Sequence, residues 1–315
     1  MAARLPGLIA CLALATVLTG GCQGSGERVP QQDRGRASLP STAPGQAADE
    51  VEAVLAATGI ATFYVMAGED RLHAGFGTLD ADGLRPTRLD PDPALISNIA
   101  GNGTTLVMGA AGLVPDSYTD GVYRVDGTAL SELAGPDDRL YGPTVSSDGT
   151  VTAIRPLDGF WTRGPHSRRW VHDPRLAHKT LSPIVWAGEG TQLTVVHATR
   201  PAARLVVLRG RSPARTLGDA HCAASLLAAP GRGLVVTIPP DRKDPACQRA
   251  VVLDLHGRAH DEYPLPDGWT PLAWTHDAEA LLMSKGTEVG VFSLDGDRLV
   301  GADVGVHLWM AVAAG

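Results

Sequence analysis

Aspartate is the residue type whose placement most suggests chemistry in this chain. Asp90, Asp92, Asp137, Asp138, Asp173, Asp219, Asp267 and Asp303 recur in the connections that join one group of β-rich runs to the next. If those connections share one end of a ring, the carboxylates form an acidic rim. Such a rim concentrates cations, and oxygen ligands suit Ca²⁺. The plainer reading is turn formation, because aspartate bonds its own backbone. The pattern alone leaves both readings open and assigns no metal. The histidines say less. His256 and His260, followed by Asp261 and Glu262, have a spacing that would put two imidazoles on one helix face for a metal. The segment H-G-R-A-H-D-E reads instead as a turn and an outer strand, where the spacing loses that meaning. His172 and His178 flank a loop, H-D-P-R-L-A-H, without carboxylate geometry. There is no G-x-S-x-G elbow, H-E-x-x-H, C-x-x-C, P-loop or dinucleotide fingerprint. No catalytic residue and no cofactor are therefore expected.

The cysteines speak to compartment. Arg4 and the apolar run Leu5 to Leu18, then Thr19, Gly20 and Gly21, read as a signal peptide over residues 1–21. The run L-T-G-G-C resembles the lipobox of bacterial lipoproteins, which implies that Cys22 carries a lipid. Cys11 leaves with the signal, so Cys222 and Cys247 remain. Outside the cytoplasm an even pair reads as a disulfide, the alternative being two inert thiols. Closing a loop of about 25 residues adds roughly 3 kcal/mol in the chain-entropy model. Residues 23–47 are polar and rich in Pro, Gly and Ser, the composition of a flexible tether. Ala48 to Ala57 has Val51, Val54 and Leu55 on one face, which predicts a short helix. The expected organisation is signal 1–21, lipidated cysteine and tether 22–56, and one folded domain 57–315.

These elements must be positioned by the body of the chain. It has 315 residues, 44% hydrophobic and 19% charged, with net charge −7. That balance lacks the basic footprint of a nucleic-acid binder. The 37 Gly and 23 Pro residues suit many short strands and tight turns. From residue 57 onward the runs repeat with a period of about 40–47 residues, the range of propeller blades. The repeats open at Ile96, Tyr141, Leu181, Cys222 and Trp269. Pro143, Pro183 and Pro271 share one position, and Trp186 and Trp274 another. Asn102-Gly103, Asp148-Gly149 and Glu189-Gly190 mark tight turns between the first two strands. Each repeat then closes with a second hairpin, least regular in F-W-T-R-G-P-H-S-R-R-W-V-H from Phe160. The C-terminal V-G-V-H-L-W-M-A-V reads as one opening strand, and I-A-T-F-Y-V-M-A-G and its successors supply the other three. The predicted fold is all-β, a β-propeller of six four-stranded blades with one blade shared by the two ends of the chain. Val306 to Val312 should then pair with Thr62 to Met66, which leaves no sheet edge in the ring.

The S-S-D-G-T and W-A-G-E-G-T openings resemble the repeats of TolB-like propellers, in which a Ser-Pro-Asp-Gly-Lys turn joins the first two strands. The match covers 57–315 and is strongest at Ser147-Asp148-Gly149. Residues 23–56 are too short for the extra N-terminal domain of TolB, so its envelope-complex role is not carried over. The expected function is a lipid-anchored binding or scaffold module on the outer face of the cytoplasmic membrane. Its partners would be the membrane and a protein or cell-wall ligand. The alternative is a lactonase- or hydrolase-type propeller holding a divalent cation at its channel mouth.

Overall fold

The computed structural model describes residues 47–113, 120–181, 184–187, 190–197, 203–219, 225–229, 235–238, 249–254, 256 and 258–314. Residues 1–46, where the expected signal peptide, Cys22 and most of the expected tether fall, lie outside the described residues, as do Cys222 and Cys247.

One helix precedes the strands, α1 (Ala47–Thr58). Sheet I contains β1 (Phe63–Ala67), β2 (Gly75–Asp80) and β3 (Gly83–Pro86). Sheet II is β4 (Leu95–Gly101), β5 (Leu106–Ala111), β6 (Gly121–Asp126) and β7 (Ala129–Ala134). Sheet III is β8 (Tyr141–Val145), β9 (Val151–Arg155), β10 (Gly159–Arg163) and β11 (Val171–Asp173). Sheet IV is β12 (Thr180–Leu181), β13 (Val185–Trp186), β14 (Thr191–His197), β15 (Ala203–Arg209) and β16 (Arg215–Asp219). Sheet V is β17 (Ser225–Ala228), β18 (Val235–Ile238), β19 (Arg249–Leu253) and β20 (Ala259–Pro264). Sheet VI is β21 (Thr270–Trp274), β22 (Ala280–Lys285), β23 (Glu288–Ser293) and β24 (Arg298–Asp303). The chain then returns to sheet I as β25 (Leu308–Ala313), so that sheet runs β25-β1-β2-β3.

The fold is an all-β propeller. Each sheet is an antiparallel meander, and each hides its faces against its neighbours. Buried side chains form one cluster at every junction: I with II around Phe76, Ile99 and Met108; II with III around Val107, Val122 and Leu140; III with IV around Phe160 and Ile184. The series continues with IV and V around Leu193 and Leu226, V and VI around Val252 and Trp274, and VI and I around Leu282 and Phe63. The first strands touch in the same cyclic order, from β25 to β4, β8, β13, β17, β21 and back to β25. This arrangement explains the burial gradient across a sheet. The second strand β5 is buried at every residue because sheets cover both its faces, whereas the outer strand β7 is mostly exposed.

The two ends of the chain pair as expected. Phe63 faces Ala313, Val65 faces Ala311 and Met66 faces Met310. Gly68 N–H donates to His307 O and Ala314 N–H to Thr62 O, extending the ladder beyond both strands. Sheet IV departs from the four-strand expectation. Its opening run is divided into β12 and β13, both paired with β14. The short helix expected over Ala48 to Ala57 forms as α1, and its apolar face, Val51, Val54 and Leu55, is buried against sheets VI and I, so the packed body begins before residue 57.

The turn between β8 and β9 has a specific chemistry. Ser146 Oγ donates to the Asp148 carboxylate and accepts from Thr150 N–H, while Asp148 also accepts from Thr150 N–H. Gly149 adopts φ 83°, which only a residue without Cβ enters without strain. A second copy lies between β21 and β22, where Thr275 Oγ1 bonds Asp277 and accepts from Ala280 N–H. These bonds hold the Asp148 pKa below its ordinary value, the Ser146 hydroxyl being the largest cause. A carboxyl whose pKa falls on folding contributes stability above its unfolded pKa and loses it on acidification. Asp148→Ala is therefore expected to lower stability by about 1 kcal/mol at pH 7, as for other carboxylates capping backbone N–H groups. In urea unfolding the gap to the wild type should close as pH drops below the usual carboxylate range.

Candidate functional site at the link end

An antiparallel meander sorts its connections to two ends. The first-to-second and third-to-fourth turns lie at one end, the turn end. The second-to-third connections and the links between sheets lie at the other, the link end. The strongest site candidate stands at the link end of sheets II and III.

It begins with a break in strand period. β4 reads L-I-S-N-I-A-G, and the polar pair Ser97-Asn98 interrupts an apolar strand. The register with β5 slips between Ile96 and Asn98, so Ser97 is the extra residue of a bulge. Bulges re-aim side chains. Here the slip brings Ser97 Oγ over Gly109, where a Cβ would come within 2.6 Å of that oxygen and 3.2 Å of Pro143. A glycine at 109 is thus a steric requirement of the site. Asn98 reaches the adjacent sheet, its Nδ2 donating to Pro143 O at 3.3 Å. Asn98 Oδ1 is buried and has no hydrogen-bond partner among the described residues. An unmet buried acceptor disfavours the fold and is a position where a ligand donor would be favoured.

Asp120, at the start of β6, completes the cluster beside Ser97. Burial raises its carboxyl pKa, and the Ser97 hydroxyl offsets this only in part. Tyr123, three residues on, is also raised, by burial first and then by the charges of Glu132 and Asp120. The site therefore couples a carboxyl held towards its neutral form with an amide oxygen of free capacity. A carboxyl whose pKa rises on folding contributes stability below its unfolded pKa and loses it as pH climbs through the folded value. Asp120→Asn removes that loss. The variant is expected to gain on the wild type in urea midpoint as pH rises from 4 to 7. A gap that stays constant with pH would show that the carboxyl is not desolvated.

The acidic residues of the links are placed separately. Asp90 bonds through its backbone to Thr128 and Leu130, beside the outer strand β7 of the next sheet. Asp92 pairs with Arg88 at 3.9 Å. Asp138 accepts from Gly135 N–H in a single 3-10 turn, and Asp137 is exposed beside it. Asp173 caps the next such turn and is gripped by Arg175 at 2.6 Å. Its pKa is lowered: burial would raise it, but the bonds and charge of Arg175 prevail. Asp303 accepts from Gly305 N–H. Asp267 is exposed, and its carbonyl accepts from Lys285. Asp219 ends β16, opposite Arg204. Turn chemistry or local pairing thus accounts for the side chains of Asp92, Asp138, Asp173 and Asp303, and among the described residues no three His, Cys, Asp or Glu converge as metal ligands. His172 stacks on Trp161 at 4.9 Å, and His178 takes a left-handed φ of 62° in the following link. His256 lies in the turn before β20, whose residues include His260, Asp261 and Glu262.

No family model matches the chain, and no curated protein sequence matches it. Solved structures do. TolB from Acinetobacter baumannii superposes with a TM-score of 0.57 at 11% identity, over 82% of this chain and 68% of that one. A gluconolactonase from Xanthomonas campestris, XC5397, superposes with a TM-score of 0.52 at 17% identity, over 76% of this chain and 86% of that one. At such identities the likeness extends to the β-propeller fold and stops there.

Proposed function

We propose that the chain is a lipid-anchored, extracytoplasmic six-bladed propeller that binds a protein or cell-envelope ligand at its link end. The ring reading rests on the cyclic order of first-strand contacts, with the divided opening of sheet IV counted as one blade. The anchor reading rests on the L-T-G-G-C run before Cys22. The observation that carries the binding reading is the cluster of Ser97, Asn98 and Asp120. A bulge and a cross-sheet hydrogen bond place Ser97 and Asn98 near Asp120, and Ser97 Oγ and Asn98 Oδ1 are both buried without a hydrogen-bond partner among the described residues. Rigid polar groups at a sheet junction recognise a ligand with little ordering cost.

Two experiments test this. Cys22→Ser should move the chain from the membrane fraction to the soluble exported fraction; retention in the membrane removes the anchor from the proposal. A photo-crosslinking residue at Asn98 should give a discrete adduct in living cells. The same residue at Leu299, exposed on outer strand β24, should not. Equal adducts at both positions, or none at either, would overturn the link-end site. The alternative reading is a lactonase- or hydrolase-type propeller that holds a divalent cation among the acidic links at its channel mouth. It requires Ca²⁺ to raise the melting temperature of the purified chain, an effect the binding reading does not need.

A further inference from the structure

At the turn end, sheets II and III part to leave a cleft of about 310 Å³. Arg124, Asp126 and Ser131 line it from sheet II, and Gly149, Arg163 and Pro165 from sheet III. In a chain of net charge −7, two guanidinium groups share one small space. Arg163 is held in place. Its Nε donates to Ser167 O at 2.8 Å and its Nη1 to Leu133 O at 2.7 Å, leaving Nη2 uncommitted. Trp170 Nε1 donates to the same Leu133 oxygen at 2.9 Å, which steadies that acceptor. Arg124 Nε is buried and has no hydrogen-bond partner among the described residues. Neither arginine forms an ion pair among the described residues, although the carboxylate residues Asp126 and Glu132, both exposed, also line the cleft. Burial and the neighbouring charges of Arg124 and Arg168 pull the Arg163 pKa below its ordinary value. Two unpaired guanidinium groups beside one another repel, and an oxyanion between them converts that repulsion into paired, charge-assisted hydrogen bonds.

We propose that this cleft binds a small ligand through a carboxylate or phosphate group gripped jointly by Arg124 and Arg163. Ser131, opposite Arg124 in the β6–β7 register, adds a hydroxyl. The cleft lies at the end opposite Asn98, so the two sites stand or fall separately.

The test is calorimetric titration of the full chain with inorganic phosphate and, separately, succinate, each at constant ionic strength balanced with chloride. Saturable binding of at least one is expected. Arg124→Gln should weaken it by about 10-fold or more, the loss of one charged bidentate partner. Arg88→Gln, on an exposed link, should leave it unchanged. Binding of phosphate alone assigns the phosphate class, of succinate alone the carboxylate class, and of both the shared oxyanion chemistry. No saturable heat with either anion, or equal affinity in Arg124→Gln, overturns the proposal. If that variant loses its cooperative melt, the side-chain Nε–Hε NMR signal of Arg163 in the wild type decides. A saturable shift on titration supports the cleft, and an unmoved signal overturns it.

Discussion

A chain ending at Asp303 is expected to lose cooperative unfolding altogether. The missing segment carries β25, which supplies the first strand of sheet I and the contact from sheet VI to sheet II. Its loss turns β1 into an open edge, with Phe63, Val65 and Met66, all fully buried in the intact fold, facing water on one side. Val304, Val306, Leu308 and Ala311 leave one cluster, and Trp309, Met310 and Val312 leave the next. Removing one buried leucine commonly costs about 2–5 kcal/mol, and a domain's whole stability is about 5–15 kcal/mol. Losing these seven residues, four of them buried, together with the β1–β25 ladder exceeds that margin. The point variant Leu308→Ala sets the scale. It should remain folded and lose about 3 kcal/mol, since the backbone ladder and the Ser284 hydroxyl bond to Leu308 O both survive. Urea unfolding followed by circular dichroism reads both. A truncated chain with a sigmoidal transition and an unchanged m-value would mean that the sheets do not depend on the closing strand.

What the sequence made legible follows from which signals are local. Turn chemistry is local: Asn102-Gly103 and Asp148-Gly149 announce hairpins because only certain residues accept those dihedrals, and both glycines take positive φ. Strand alternation is local too, so the repeat and the pairing of Val306 to Val312 with Thr62 to Met66 were readable. The repeat opening at Trp269 keeps the turn without the Asx-Gly pair: Ala278 takes the left-handed φ of 58° that glycine takes elsewhere, and Thr275 and Asp277 keep the hydrogen bonds. The candidate sites depend on which residues of separate repeats meet, and this is not local. Ser97-Asn98 carried a signal, two polar residues interrupting an apolar strand, but Asp120 joins them only through the β4–β5–β6 pairing. Arg124 and Arg163 sit in different repeats with no motif between them. The acidic links were visible, but their orientation was not: a carboxylate that bonds its own turn and one that faces a channel have the same sequence context.

Val54→Asp is expected to unfold the chain nearly as effectively, although it changes one residue outside every sheet. Val54 is fully buried, and with Val51 and Leu55 it packs α1 onto the seam where sheets VI and I meet. That seam is where the last sheet must find the first. One further bond ties the helix end there, Thr58 O accepting from His276 N–H in the Thr275 turn, while Thr58 Oγ1 donates to Leu55 O within the helix itself. An aspartate at 54 would have no partner among the aliphatic groups of this cluster. A buried unpaired charge costs about 3–5 kcal/mol, before the lost valine contacts are counted. The exposed neighbour Glu52→Ala should stay within about 0.5 kcal/mol of the wild type. A double-mutant cycle tells a seam clasp from a helix that merely adds burial. Val54→Ala and Leu282→Ala share one cluster and should couple by about 0.5–3 kcal/mol, whereas Val54→Ala and Phe160→Leu, in clusters at separate junctions, should add. If the first pair is additive, the helix rests on the seam without joining it.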